Sequence, residues 1–305
     1  MTKLKALLVS LLMALGLAAV PTPAQAQYVQ RYAKLVTSAA ELAYADTAGK
    51  MPTLSHMTLK GKMAPHGQPG GIHPFTCPCY DYAGNRQTVA SDGFGISLMS
   101  VESPAGVSSG TQHSLMELSV TDNLGNTVEW GWIKDTIVCG LASSPCLFAG
   151  HWINGVFQGY NTGFTPAVGC SPCAGASISG AIGTTKQFGI QYITNANPAL
   201  NAWWMSYNGA YVGAYLASRW TTPTFTRGAF NQAFGEVVDS TASSCIDMGN
   251  GVLATVGGLG SKINSYAAVN PTGAGTLTAF ASQPTKWNGV MVTGVSARAS
   301  GPGWC

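Results

Sequence analysis

From Cys77 onward the chain runs in short alternating segments separated by Gly, Asn and Pro, and no stretch there sustains the apolar spacing of a helix. Short runs whose side chains alternate between two faces suit antiparallel strands joined by tight turns, so the pattern predicts an all-β sandwich or barrel. The pattern leaves sandwich and barrel both open, with a short helical N-terminal segment expected before the strands.

Two hairpins can be written down in register. In SLMELSVTDNLGNTVEWGWI, residues 114–133, a three-residue loop over Asn123–Gly125 with its glycine in the left-handed position pairs Val120 with Val128, Leu118 with Trp130 and Met116 with Trp132. That register gathers the large apolar side chains on one face and sends Leu115, Glu117, Ser119, Thr127, Glu129, Gly131 and Ile133 to the other. In NAWWMSYNGAYVGAY, residues 201–215, Asn208-Gly209 is a two-residue turn signal. Strict alternation then puts Trp203, Met205 and Tyr207 on a packing face and Trp204, Ser206, Tyr211, Gly213 and Tyr215 on a face suited to binding.

The chain begins differently. Residues 1–26 carry a short basic start, an apolar run and a small-residue AQA end, which reads as a secretory signal cleaved after Ala26. Residues 27–72 read as an N-terminal extension or propeptide, helical from Val29 to Ala45 and ending in a linker rich in Gly and Pro; residues 73–305 form the β domain. A secreted or periplasmic location makes disulfides the expected state of the eight cysteines. Cys139, Cys146, Cys170 and Cys173 are the candidates closest in sequence, and the pairing of Cys77, Cys79, Cys245 and Cys305 is open. A redox role for the CSPC at 170–173 lacks the βαβ setting such sites use. The five histidines are scattered, so no metal site and no cofactor is expected, and each histidine reads as an ordinary surface or core group.

Only 9% of the residues are charged and the formal net charge is +3, which excludes a nucleic-acid footprint. Beyond Asp135 the acidic residues are Glu236, Asp239 and Asp247, so each invites a reason. Glu236 falls mid-strand with Phe234 and Val238, and Glu129 directly precedes Trp130 and Trp132 in Glu-Trp-Gly-Trp. A buried carboxylate is expensive unless something uses it. With no GxSxG and no complete phosphate loop, a paired-carboxylate site is the leading chemistry.

These segments resemble the neprosin family of exported glutamic peptidases. The resemblance runs from about Phe75 to Cys305 and rests on TVEWGW at 127–132, LFAGHWINGVFQGYNTG at 147–163, KQFGIQYITNANPALNAWWMSYNGAYVGAY at 186–215 and AFGEVVDSTASSCIDMGNG at 233–251. It implies an all-β fold, an antiparallel two-sheet β-sandwich that is jelly-roll-like, and cleavage of peptides after proline at acid pH. It also implies that the family's two catalytic glutamates are Glu129 and Glu236. The expected mechanism has the two facing each other across a groove and sharing one proton, the ionised member activating water and the protonated member serving the carbonyl and the leaving nitrogen. Trp204, Tyr211 and Tyr215 are candidates to pack on a proline ring. The expected partner is a peptide or protein substrate containing proline, with no nucleic acid or membrane partner and a monomeric chain. The rivals are a glycoside hydrolase, a lectin-like module, and a pairing of Glu129 with Glu117 in place of Glu236.

Overall fold

The structure is a computed structural model that describes residues 79–140, 144–221, 224–239 and 245–303. The expected signal, the helix over Val29–Ala45 and the linker that follows lie outside the described residues. Among the described residues no helix is long and apolar enough to cross a membrane.

The described chain forms two antiparallel sheets. The first contains β1 (Cys79–Ser91), β3 (His113–Thr121), β4 (Thr127–Asp135), β5 (Cys146–Ile153), β6 (Val156–Phe157), β11 (Gly228–Asp239) and β13 (Leu277–Ala281), in the order β13-β1-β11-β3-β4-β5-β6. The second contains β2 (Gly93–Ser100), β7 (Thr165–Pro166), β8 (Thr185–Ile193), β9 (Ala202–Tyr207), β10 (Ala210–Leu216), β12 (Lys262–Ala268), β14 (Asn288–Thr293) and β15 (Ser296–Ser300), in the order β14-β15-β12-β2-β8-β9-β10-β7.

One core lies between the sheets. Met116, Leu118, Val128, Trp130 and Trp132 of the first sheet pack with Phe94, Ile96, Phe188, Trp203 and Met205 of the second. Two indoles of β4 also tie the layers by hydrogen bonds, Trp130 Nε1 to the Ser206 carbonyl and Trp132 Nε1 to the Ser100 carbonyl, each at 2.8 Å. An indole N–H buried without an acceptor would be destabilising, and here each donor finds a backbone oxygen of the opposite sheet. Removing either ring is expected to lower stability by about 3–5 kcal/mol.

The first hairpin has the expected register: Val120 pairs with Val128, Leu118 with Trp130 and Met116 with Trp132. Gly125 takes a φ of 85°, and the Asp122 carboxylate accepts the Leu124 and Asn126 N–H groups, closing the turn from inside. In the second hairpin Asn208 and Gly209 both have positive φ, 50° and 84°, as a type I′ turn demands. Strict alternation fails beyond it. A bulge between Tyr211 and Gly213 inserts one residue, so Tyr215 pairs with Trp203 and Ala214 with Trp204. Tyr215 therefore joins the interlayer core instead of sharing a face with Trp204 and Tyr211. Both sequence-adjacent cysteine pairs, Cys139–Cys146 and Cys170–Cys173, form disulfides.

Candidate active site

Because Val128, Trp130 and Trp132 face the core, the alternate residues of the same strand face away from it. Following the pairings across the first sheet gives rows on that outer face. One row holds Arg86, Gln232, Ser119, Glu129 and Gly150; the next holds Gly84, Phe234, Glu117, Gly131 and Phe148; the third holds Tyr82, Glu236, Leu115, Ile133 and Cys146. Glu129, Glu117 and Glu236 thus fall on three adjacent strands, β4, β3 and β11, each one row further along. They form a diagonal in which neighbouring members are roughly 7–8 Å apart at the backbone, so the outer two are separated by roughly twice that. All three are buried.

Glu129 and Glu236 do not confront each other from opposite walls, as the sequence suggested. They stand on one face of one sheet with β3 between them, and Glu117 lies on the line joining them.

Each outer glutamate has its own hydrogen-bond partner. Trp152 Nε1 donates to Glu129 Oε1 at 2.7 Å. Gly150, directly opposite Glu129 on β5, leaves room for that carboxyl, since a Cβ there would lie 2.6 Å from Glu129 Oε2. Glu236 Oε1 is 2.7 Å from His113 Nε2, and His113 Nδ1 is 3.8 Å from Asp135 Oδ2. Aromatic rings frame the diagonal: Trp152 meets Phe157, Phe157 and Phe148 meet Tyr160, and Tyr160 meets His113. On the far side Tyr80 stacks with Tyr82, and Tyr82 meets Phe234 edge-on.

A second polar cluster lies on the core side of β5. His151, fully buried, lies tilted against Tyr215 with ring centroids 4.4 Å apart, and Arg219 Nη1 donates to His151 Nε2 at 3.3 Å. Arginine only donates, so Nε2 is the bare nitrogen and the ring is neutral. Burial, reinforced by the Arg219 charge, holds this imidazole down at about 3. Burial drives the Tyr215 phenol well above its usual range, and the nearby Glu129 charge pushes in the same direction.

The three aromatic candidates are not gathered at the glutamates. Trp204 and Tyr211 pack with Ala202, Leu200 and Ala167 on the side of the second sheet that faces away from the first, and Tyr215 lies in the core. Conversely, His113 was read as an ordinary histidine, although it begins β3 on the parity of Glu117 and pairs in register with Asp135 and Val238. That parity was legible; the pairing of β3 with β11, which brings His113 to Glu236, joins segments more than a hundred residues apart and was not. Trp152 is likewise placed by its neighbours, opposite Thr127 of β4 and Phe157 of β6. Among the described residues no group of His, Cys, Asp and Glu is arranged to hold a metal ion.

Comparison with known proteins adds one sequence match and several distant shapes. The family profile described as Neprosin matches residues 108–288, more than half of the chain. No curated protein matches the sequence. Among solved structures, a scytalido-glutamic peptidase bound to a peptide-based transition-state analogue aligns at a TM-score of 0.36 and 8% identity, over 73% of this chain and 98% of that one. SCP-B, a member of the eqolisin family of peptidases in complex with the tripeptide Ala-Ile-His, aligns at 0.31 and 10% identity over the same shares. A β-porphyranase from Bacteroides plebeius aligns at 0.25 and 9% identity, over 52% of this chain and 56% of that one.

Proposed function

The chain belongs to the neprosin family, and on that premise we propose that it is an exported glutamic endopeptidase in which Glu129 and Glu236 are the catalytic pair. The observation that carries the reading is the glutamate diagonal: the two residues implied by the family motifs project from the same face of one sheet, each with a ring nitrogen 2.7 Å from its carboxyl, His113 Nε2 at Glu236 and Trp152 Nε1 at Glu129.

In this reading the scissile peptide lies along the diagonal, over Glu117 and Phe234, with a water between the substrate carbonyl and one of the outer carboxyls. The ionised carboxylate takes a proton from the water as its oxygen attacks the carbonyl carbon. The protonated carboxyl steadies the carbonyl oxygen and then gives its proton to the amide nitrogen as the C–N bond breaks. The products leave as an acid and an amine, and solvent returns the displaced proton to its starting carboxyl. One carboxyl must hold a proton while the other does not, so activity belongs to acid pH.

The preference for proline extends the family resemblance. The rings suited to a flat apolar pyrrolidine are those of the glutamate face, Phe234, Tyr82, Phe148 and Tyr160, in place of Trp204, Tyr211 and Tyr215. Cleavage of a signal after Ala26 and removal of residues 27–72 on maturation belong to the same proposal.

The test is direct. The purified full chain is incubated from pH 3 to 7 with a peptide containing one internal proline, and in parallel with a panel of polysaccharides, and the products are mapped by mass spectrometry. Cleavage on the carboxyl side of proline supports the reading. Cleavage elsewhere removes the proline preference alone, and glycan hydrolysis or binding without peptide cleavage overturns the peptidase.

A further inference from the structure

A cavity over one end of the second sheet lies apart from the glutamate diagonal. Ile263 of β12 and Ala297 of β15 belong to the interlayer core, so their neighbours Lys262 and Arg298 project from the outer side of that sheet. These two residues pair directly, cation opposite cation, an arrangement that destabilises a sheet. Among the described residues neither has a carboxylate partner. Arg298 Nη1 donates to Asn264 Oδ1 at 3.0 Å, and its buried Nε has no acceptor.

Lys262 lines a cavity of about 290 Å³ together with Glu102, Thr184, Asn250, Val252 and Leu259. Ligand sites run from about 300 to 1,000 Å³, so this one suits a very small molecule. One wall is the loop before β12, and that loop is tied down. Thr255 N donates to the Leu259 carbonyl and Leu259 N to Thr255 Oγ1, each at 3.2 Å. Gly260, at a φ of 86°, has no space for a side chain, since a Cβ there would fall 2.8 Å from Ala254 Cα. Asn250 Oδ1 accepts from Ser300 Oγ at 2.7 Å and from the Val252 N–H at 3.1 Å, which leaves the Asn250 amide N–H groups for a ligand.

The opposite charge stands in the same cavity. Glu102 Oε1 accepts from Ser261 Oγ at 3.4 Å, and burial pushes this carboxyl up against the hydroxyls of Ser100 and Ser261 alone. Lys262 is not paired with it, although both line the cavity. One anion and one cation thus face a single small space, each without a partner of opposite sign. Withdrawing a charge from water is costly unless something neutralises it. Beside them Val252 and Leu259 leave apolar side chains 44% and 57% exposed.

We propose that this cavity binds a small zwitterion, a free amino acid or dipeptide with an apolar side chain, its ammonium on Glu102 and its carboxylate on Lys262. The apolar side chain packs on Val252 and Leu259, and the Asn250 amide donates to the ligand's carbonyl or carboxylate oxygen. Arg298, behind the Gly258 wall at 3.9 Å from the position of a Cβ there, adds positive charge at the carboxylate end. The site goes beyond the peptidase reading and does not depend on it.

The test titrates the full chain at pH 7 with leucine and with Ala-Leu, each also with its amine acetylated and with its carboxyl amidated. Binding is followed by ligand-observed NMR up to about 20 mM. At least one of the two zwitterions should bind saturably, and each block should weaken it about tenfold or more, the effect of deleting one charged hydrogen bond. Glu102→Gln should erase the discrimination against the acetylated form, and Lys262→Gln that against the amide, with thermal melts near native. Glu129→Gln, on the other sheet, should bind as the native chain does. No saturation by either zwitterion overturns the proposal. So does loss with one block only, which marks a simple amine or anion site. Binding that disappears in Glu129→Gln but survives Glu102→Gln and Lys262→Gln places the ligand at the glutamate face and overturns it as well. If a variant does not fold, the blocked ligands on the native chain decide.

Discussion

Trp152 donates its indole N–H to Glu129 across the first sheet at 2.7 Å, while its own backbone carbonyl accepts from Trp220 Nε1 at 2.7 Å. The carboxylate is thus held by a strand that is pinned from the other layer, since Trp220 belongs to the interlayer core. Trp152→Phe keeps an aromatic ring, smaller than the indole, and deletes the donor. It should reduce stability by about 1–3 kcal/mol, the effect of removing a hydrogen bond to a buried charged group. It should also lower kcat about tenfold by freeing the Glu129 carboxyl to rotate. Urea melts and steady-state kinetics on the same preparation read both.

The buried His151 makes acid unfavourable to the fold. Its folded pKa is depressed to about 3 by burial and then by Arg219. The neutral ring's contribution is present above the ordinary histidine range near 6.5 and is lost as pH falls towards 3, because the unfolded chain takes up the proton first. Between pH 6.5 and 4 the loss is on the order of 3 kcal/mol. His151→Gln should therefore flatten the stability profile over that interval, even where it lowers stability at pH 7. Denaturant midpoints at pH 7, 5 and 4 for both proteins measure the difference in slope.

The face of the second sheet that carries Trp204 and Tyr211 is turned away from the glutamates. Tyr211→Ala, at a half-buried position on that face, should leave kcat/KM on a proline peptide within about twofold while lowering stability by about 1 kcal/mol. A large rise in KM would show that substrate reaches this face.

Local chemistry made much of this legible from the sequence. The β3–β4 hairpin could be placed residue by residue because Asn123–Gly125 sets the loop and the tryptophans set the face. Once that register was known, the parity of Glu117 and Glu129 followed. The second hairpin was right at its turn and wrong four residues later, because the bulge at Val212 has no signature in alternation: the extra residue is accommodated by Thr165 and Pro166 of the short β7 pairing with Ala214 and Gly213. Long-range pairing was the other blind spot. That β11 lies beside β3, and hence that Glu236 meets His113, depends on contacts across more than a hundred residues, for which neither strand carries a local signal.

The central claim is that the outer two glutamates of the diagonal, and not the middle one, carry the chemistry. The most direct measurement is the pH dependence of kcat, from pH 3 to 7 on a peptide with one internal proline, for Glu117→Gln, Glu129→Gln and Glu236→Gln with folding checked by thermal melts. The account predicts that Glu129→Gln and Glu236→Gln each lose about 10²–10⁴-fold in kcat, while Glu117→Gln stays within about tenfold. Full hydrolysis by Glu129→Gln or Glu236→Gln, or abolition by Glu117→Gln alone, would contradict it.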